Sequence, residues 1–149
     1  MMILTEKELK KRLANVVAEF AKREEISAFY LFGSYAAGCP KPTSDVDLAI
    51  LLSVVDRETS LDKRLSLMAE IAMMIGTDNI DVLILNEAPA GLAYRVLQEG
   101  QLLYLKKGIE KQLVRFKARV FDRYCDYQPV QKLFSAALAK RIKEGSFGG

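Results

Sequence analysis

The fold of this chain turns on one stretch, Gly33-Ser34-Tyr35-Ala36-Ala37-Gly38-Cys39-Pro40-Lys41-Pro42-Thr43-Ser44-Asp45-Val46-Asp47-Leu48. Its end opens a strand over Asp45–Leu52. There Val46, Leu48, Ile50 and Leu52 share one face, and Asp45, Asp47, Ala49 and Leu51 the other. The two carboxylates therefore point the same way, where like charges repel and cost stability. A cation between them removes that cost, and hard oxygen ligands suit Mg²⁺. The start of the stretch follows an apolar, partly β-branched and aromatic run, Ile26–Phe32, which reads as an earlier strand. That strand ends at Gly33-Ser34. Glycine permits close backbone approach. A strand passing here into a helical turn points N–H groups outward as an anion cradle, to which Ser34 adds a hydroxyl donor. Gly38, Pro40 and Pro42 mark the loop between the two strands.

Further out, Ile80–Leu85 reads as a third strand with Asp81, Leu83 and Leu85 on one face. An unpaired Asp inside such an apolar run is costly to bury. If this strand lies beside the second, Asp81 joins Asp45 and Asp47. Three carboxylates on adjacent strands suit two metals roughly 3.5–4 Å apart, as in two-metal phosphoryl chemistry.

The remaining pattern alternates helices and strands. Thr5 and Glu8 form a capping-box pair ahead of Leu9, Leu13, Val16, Val17 and Phe20, which predicts a helix over 6–23. Ser60 is the expected cap of a helix stopped near Gly76, with Leu61, Met68, Ile71 and Ile75 as core. Pro89 opens a short helix that closes near Gly100, and Gln101–Leu105 is a fourth strand. A helix over 109–127, another after Pro129, and a frayed Gly145–Gly149 tail complete the chain. The expected organisation is one domain: a catalytic core over 1–105, a helical extension over 106–144 and a flexible tail over 145–149.

Composition narrows the chemistry. Half the 149 residues are hydrophobic and 28% are charged, an ordinary globular balance. There is no histidine, which excludes Ser-His-Asp triads, His general acid–base work and His-ligated zinc. Cys39 and Cys125 are too few for a Cys₄ site. The N-terminus has no signal-peptide pattern and no apolar run spans a bilayer, so a cytoplasmic protein is expected. Residues 1–100 carry 11 Lys/Arg and 15 Asp/Glu, net −4; residues 101–149 carry 11 and 4, net +7. The basic third reads either as a solvated helical surface or as a docking face for an acidic protein, for nucleotide phosphates or for nucleic acid.

Known phosphate motifs fit poorly. Gly33 and Gly38 have Walker A spacing, but Cys39-Pro40 follow in place of Lys-Ser/Thr. No G-x-G-x-x-G is present, and the carboxylate spacing is not that of an EF-hand. A lone D-x-D pair is usually a solvated strand edge, and a Gly-Ser turn alone says less. The two together, with a third Asp on the next strand, leave chance a poor explanation.

These residues resemble the nucleotidyltransferase signature G-S-x-x-x-G-x-x-x-x-x-S-D-x-D-[LI], with Gly33, Ser34, Gly38, Ser44, Asp45, Asp47 and Leu48 in place. The subfamily it resembles is that of the minimal nucleotidyltransferase (MntA-like) antitoxins, partners of HEPN-domain toxins. The likeness continues through Ile80–Asn86, Leu97–Tyr104 and Tyr124–Tyr127. The resemblance implies an α/β (α+β) polymerase-β-like fold, a mixed sheet flanked by helices. It implies transfer of AMP from ATP to a tyrosine hydroxyl of a cognate HEPN toxin, in a hetero-oligomer. Asp45, Asp47 and Asp81 would then be the catalytic metal ligands for two Mg²⁺ ions, with Mn²⁺ as an alternative, and Gly33 and Ser34 would bind the nucleotide's β/γ-phosphates.

Other assignments stay open at the level of sequence. Lys41 is a phosphate contact or a plain surface cation, Arg95 a phosphate contact, a partner contact or a surface arginine, and Tyr35 stacks on a base or packs in the core. A small-molecule, antibiotic-like acceptor and a non-catalytic toxin-binding module are the competing functions. A nucleic-acid polymerase lacks room for duplex-binding domains, so neither direct nucleic-acid binding nor membrane association is expected. The chain cannot itself be a HEPN toxin, whose R-x₄₋₆-H motif needs a histidine.

Overall fold

The computed structural model describes residues 5–38 and 45–143. The expected loop prolines, Cys39, Lys41, Ser44 and the Gly145–Gly149 tail lie outside the described residues.

Four strands form one mixed sheet: β1 (Ile26–Phe32), β2 (Val46–Leu52), β3 (Ile80–Ile84) and β4 (Gln101–Leu105), in the order β3-β2-β1-β4. β1 runs antiparallel to both β2 and β4, and β2 runs parallel to β3. The alternation read from the sequence holds. Val46, Leu48, Ile50 and Leu52 bury into one layer together with Ile80, Val82 and Ile84. Ala49 and Leu51 face the other layer, as do Tyr30 and Leu85.

The first layer is closed by α1 (Glu6–Phe20) and α3 (Ser60–Ile75). The capping box forms as expected: the Glu8 N–H donates to Thr5 Oγ1 at 3.1 Å, and the Thr5 N–H to Glu8 Oε2 at 3.4 Å. α1 stops at Phe20, short of residue 23. The second layer is closed by α4 (Ala90–Glu99) and α5 (Glu110–Lys143), which supplies Leu113 and Val120. Asn86 ties this layer to the sheet. Its side chain accepts from the Leu52 N–H at 2.8 Å and donates to the Leu52 carbonyl at 2.9 Å, prolonging β2 with a mimic of a strand partner.

Three local expectations need correction. The cap of α3 is Thr59, while the Ser60 hydroxyl donates to Glu87 at 2.7 Å. On α3 the buried stripe is Leu67, Ile71 and Ile75, and Leu61 is 59% exposed. Leu61 precedes Leu67 by six residues, roughly 1.7 turns, which rotates it off the buried face. Finally, the helices expected on either side of Pro129 are one helix, α5. An interior proline removes one N–H and kinks a helix without obliging it to end. The strong helix formers of Ala136-Ala137-Leu138-Ala139-Lys140 carry the turns onward.

Candidate active site

β1 passes straight into the short helix α2 (Gly33–Ala36). Gly33 has φ +76°, where a side chain is strained, and a Cβ there would collide with Asp47 Oδ2. Glycine is thus needed twice, for the backbone and for the carboxylate packed on it. Gln101 of β4 steadies the turn by donating its Nε2 to the Ala36 carbonyl at 2.9 Å. Tyr35 is buried in the first layer, so the open choice at that residue is settled in favour of packing.

Asp47 sits directly across from Asp81 in the parallel β2–β3 register, and Asp45 is exposed just before β2. The carboxyl of Asp47 is pushed up from 3.8 to about 6, first by burial and then by the charges of Asp81 and Asp45. Asp47 therefore sits in a field that disfavours its ionisation, and a cation would relieve it.

Asp81 departs from the expectation of a costly buried acid. It lies on the edge strand with its side chain 51% exposed, and Arg64 of α3 pairs with it at 3.1 Å. Among the described residues, no three acidic or thiol side chains are already drawn together as a metal-holding group. The hard oxygen donors and the frustrated Asp47 fit a divalent cation, and the ion pair engages one of the donors, Asp81.

A cleft of about 450 Å³ opens over this arrangement, lined by Phe32, Gly33, Ser34, Ala37, Asp47, Leu92, Arg95 and Glu99. Gly33, Ser34 and Asp47 thus meet in one space. Arg95 is exposed on the opposite wall, so it is both a surface arginine and a cation facing the cleft. A second, larger cleft of about 700 Å³ shares Leu92, Arg95 and Glu99 and extends to Tyr94 and Tyr124. Those two rings stack at 4.0 Å. Of these two clefts, the smaller contains Asp47 and the glycine turn.

The sequence model of the family described as polymerase beta, nucleotidyltransferase matches residues 14–108, from α1 through β4. The chain belongs to the polymerase beta nucleotidyltransferase family. Solved structures agree on this nucleotidyltransferase fold. One is a toxin–antitoxin crystal structure with AMP-PNP, at TM-score 0.65 and 23% identity, covering 91% of this chain and 99% of that one. Another is the toxin–antitoxin MntA-HepT, at TM-score 0.65 and 18% identity, covering 87% and 98%. A third is the tri-AMPylated Shewanella oneidensis HEPN toxin in complex with MNT antitoxin, at TM-score 0.63 and 18% identity, covering 91% and 99%. No curated protein matches the sequence. Among the described residues no helix is long and apolar enough to cross a membrane.

Reading the sequence missed Arg64, Gln101, Leu92 and Glu99. Arg64 and Gln101 act through tertiary contacts across 17 and 65 residues of chain, which no local pattern signals.

Proposed function

We propose that this nucleotidyltransferase moves AMP from ATP to a tyrosine hydroxyl of a HEPN-domain toxin, and that it acts in the cytoplasm as the antitoxin of that pair. The observation that carries the reading is the meeting of Gly33, Ser34 and Asp47 in one cleft with Asp81 across the strand. The acceptor and the partner rest on the likeness to structures that contain AMP-PNP or an AMPylated HEPN toxin.

Asp45, Asp47 and Asp81 would hold two Mg²⁺ ions, or Mn²⁺ in their place. Bound there, divalent ions neutralise a triphosphate and lower the pKa of an attacking hydroxyl. Gly33 offers backbone close to the phosphates, because no side chain intervenes, and Ser34 donates its hydroxyl. Arg95 supplies positive charge from the far wall. The acceptor oxygen forms its bond to the α-phosphorus in line, the α–β anhydride bond breaks, and pyrophosphate leaves. Asp81, the most exposed strand acid of the site, receives the hydroxyl proton.

One observation favours a second reading. The adjoining 700 Å³ cleft is roomy enough for a small-molecule acceptor beside Arg95. Intact-mass analysis decides between the two. The purified protein is incubated with ATP, Mg²⁺ and the product of the neighbouring gene. Mass increments of one or more AMP on the partner, absent without metal, are expected. A tight complex with no increment would leave a binding module, and neither complex nor increment would favour the small-molecule acceptor.

A further inference from the structure

The arginine at the acidic face has no place in the transfer chemistry, and its geometry is specific. Arg64 projects from α3, on the first-layer side of the sheet, toward the edge strand β3. Its Nε donates to the Val82 carbonyl at 2.5 Å, and its Nη2 donates to Asp81 Oδ1 at 3.1 Å. The carbonyl bond fixes the fork, so the charge is set against Asp81 and does not wander on a free side chain. Asp81 in turn lies across from Asp47.

We infer that Arg64 is a positioning residue that competes with divalent cation for Asp81. In the metal-free protein it neutralises one acid of a like-charged trio and holds that carboxylate at the sheet edge. Metal binding requires Asp81 to exchange its guanidinium partner for the cation. The arginine thereby weakens metal binding by the protein alone and keeps the acidic face tolerable without metal. Because the Nε–Val82 bond does not involve Asp81, Arg64 can stay docked while the carboxylate turns. This inference rests on the carboxylate assignment of the preceding section.

The sign of the effect separates competition from structural support. Removing a merely structural arginine would loosen the site and weaken metal binding. Removing a competitor strengthens it. Mn²⁺ binding to the full chain, without nucleotide, is titrated by electron paramagnetic resonance for the parent, Arg64→Gln, Arg64→Lys and Asp81→Asn. Arg64→Gln is expected to bind Mn²⁺ roughly three- to tenfold tighter, the scale of losing one nearby like charge at a half-exposed site. Arg64→Lys keeps the charge without the fork, and is expected to fall between Arg64→Gln and the parent. It serves as the test if Arg64→Gln does not fold. Asp81→Asn should bind more weakly than the parent. Unchanged or weaker binding in both arginine variants, with Asp81→Asn weakened, would overturn the competition while sparing the carboxylate assignment. Parent-like binding by Asp81→Asn would remove that assignment, and the inference with it.

Discussion

The two faces of the sheet are built differently. The face under α1 and α3 is built on large apolar side chains: Phe20 and Phe29 meet edge to face at 5.7 Å, and Ile26, Leu48, Ile50, Ile71 and Val82 are fully buried around them. The face under α4 and α5 is thinner. Its core uses the small residues Ala28, Ala49, Ala88 and Ala93, and among the described residues the buried Tyr30 hydroxyl has no hydrogen-bond partner. That same face carries Asp47, Asp81 and the cleft. The contrast teaches a division of labour. Burial of large side chains on one face supplies stability, and the other face can then bear charge, an unmatched hydroxyl and open space.

Substitutions on the two faces should therefore fail in different ways. The largest effect falls on the acidic face. Asp47→Asn should cut AMP transfer by about 10³-fold or more, roughly 4 kcal/mol of transition-state stabilisation, with its circular dichroism unchanged. Retained transfer would break the comparison. On the opposite face, Phe29→Ala should cost about 3–5 kcal/mol of stability in urea unfolding, because it empties the centre of the large core. Its surviving folded fraction should still transfer AMP.

Gly33→Ala comes next, and it touches both properties. Forcing a Cβ at φ +76° onto Asp47 should cost about 2 kcal/mol and depress transfer more than stability. Equal activity would show that the carboxylate can move aside freely.

The acidic face should also be visible in pH dependence. The folded pKa of Asp47 is raised, so the folded state holds that proton more tightly than the unfolded chain does. Its contribution is full below about pH 4 and is lost as pH rises through about 6. In metal-free protein, Asp47→Asn should accordingly be more stable than the parent at pH 7 by roughly 1–2 kcal/mol, after discounting for solvent screening, with the gain vanishing near pH 4. Thermal unfolding across that range checks the sign. The smallest effect is Tyr30→Phe, which removes the unpartnered hydroxyl and should raise stability by about 1 kcal/mol.

Much of this was legible in the sequence because it is local. Period-two alternation set the faces of β2 and β3, Thr5 with Glu8 announced α1, and Asp45, Asp47 and Asp81 were singled out by residue type and spacing. The strand neighbourhood of Asp47 and Asp81 was expected only on condition that β2 and β3 paired, and the register meets that condition. What escaped was tertiary or marginal. Leu61 has the right residue type for core but sits off the buried stripe of α3. Pro129 carries a breaker's chemistry, yet the flanking turns override it. The apolar run around Asp81 suggests a buried acid needing a metal, whereas its exposure and its pairing with Arg64 satisfy it. Arg64 itself lies in an ordinary amphipathic helix, and only the packing of α3 on the edge strand gives it a role.

The most direct test of the central claim, that the three carboxylates form a metal site beside Gly33, is anomalous scattering from crystals grown with Mn²⁺ and a non-hydrolysable ATP analogue. A Mn²⁺ peak bounded by Asp45, Asp47 and Asp81, with the analogue's phosphates against Gly33 and Ser34, is the expected result. Nucleotide bound with no Mn²⁺ at these carboxylates would contradict it.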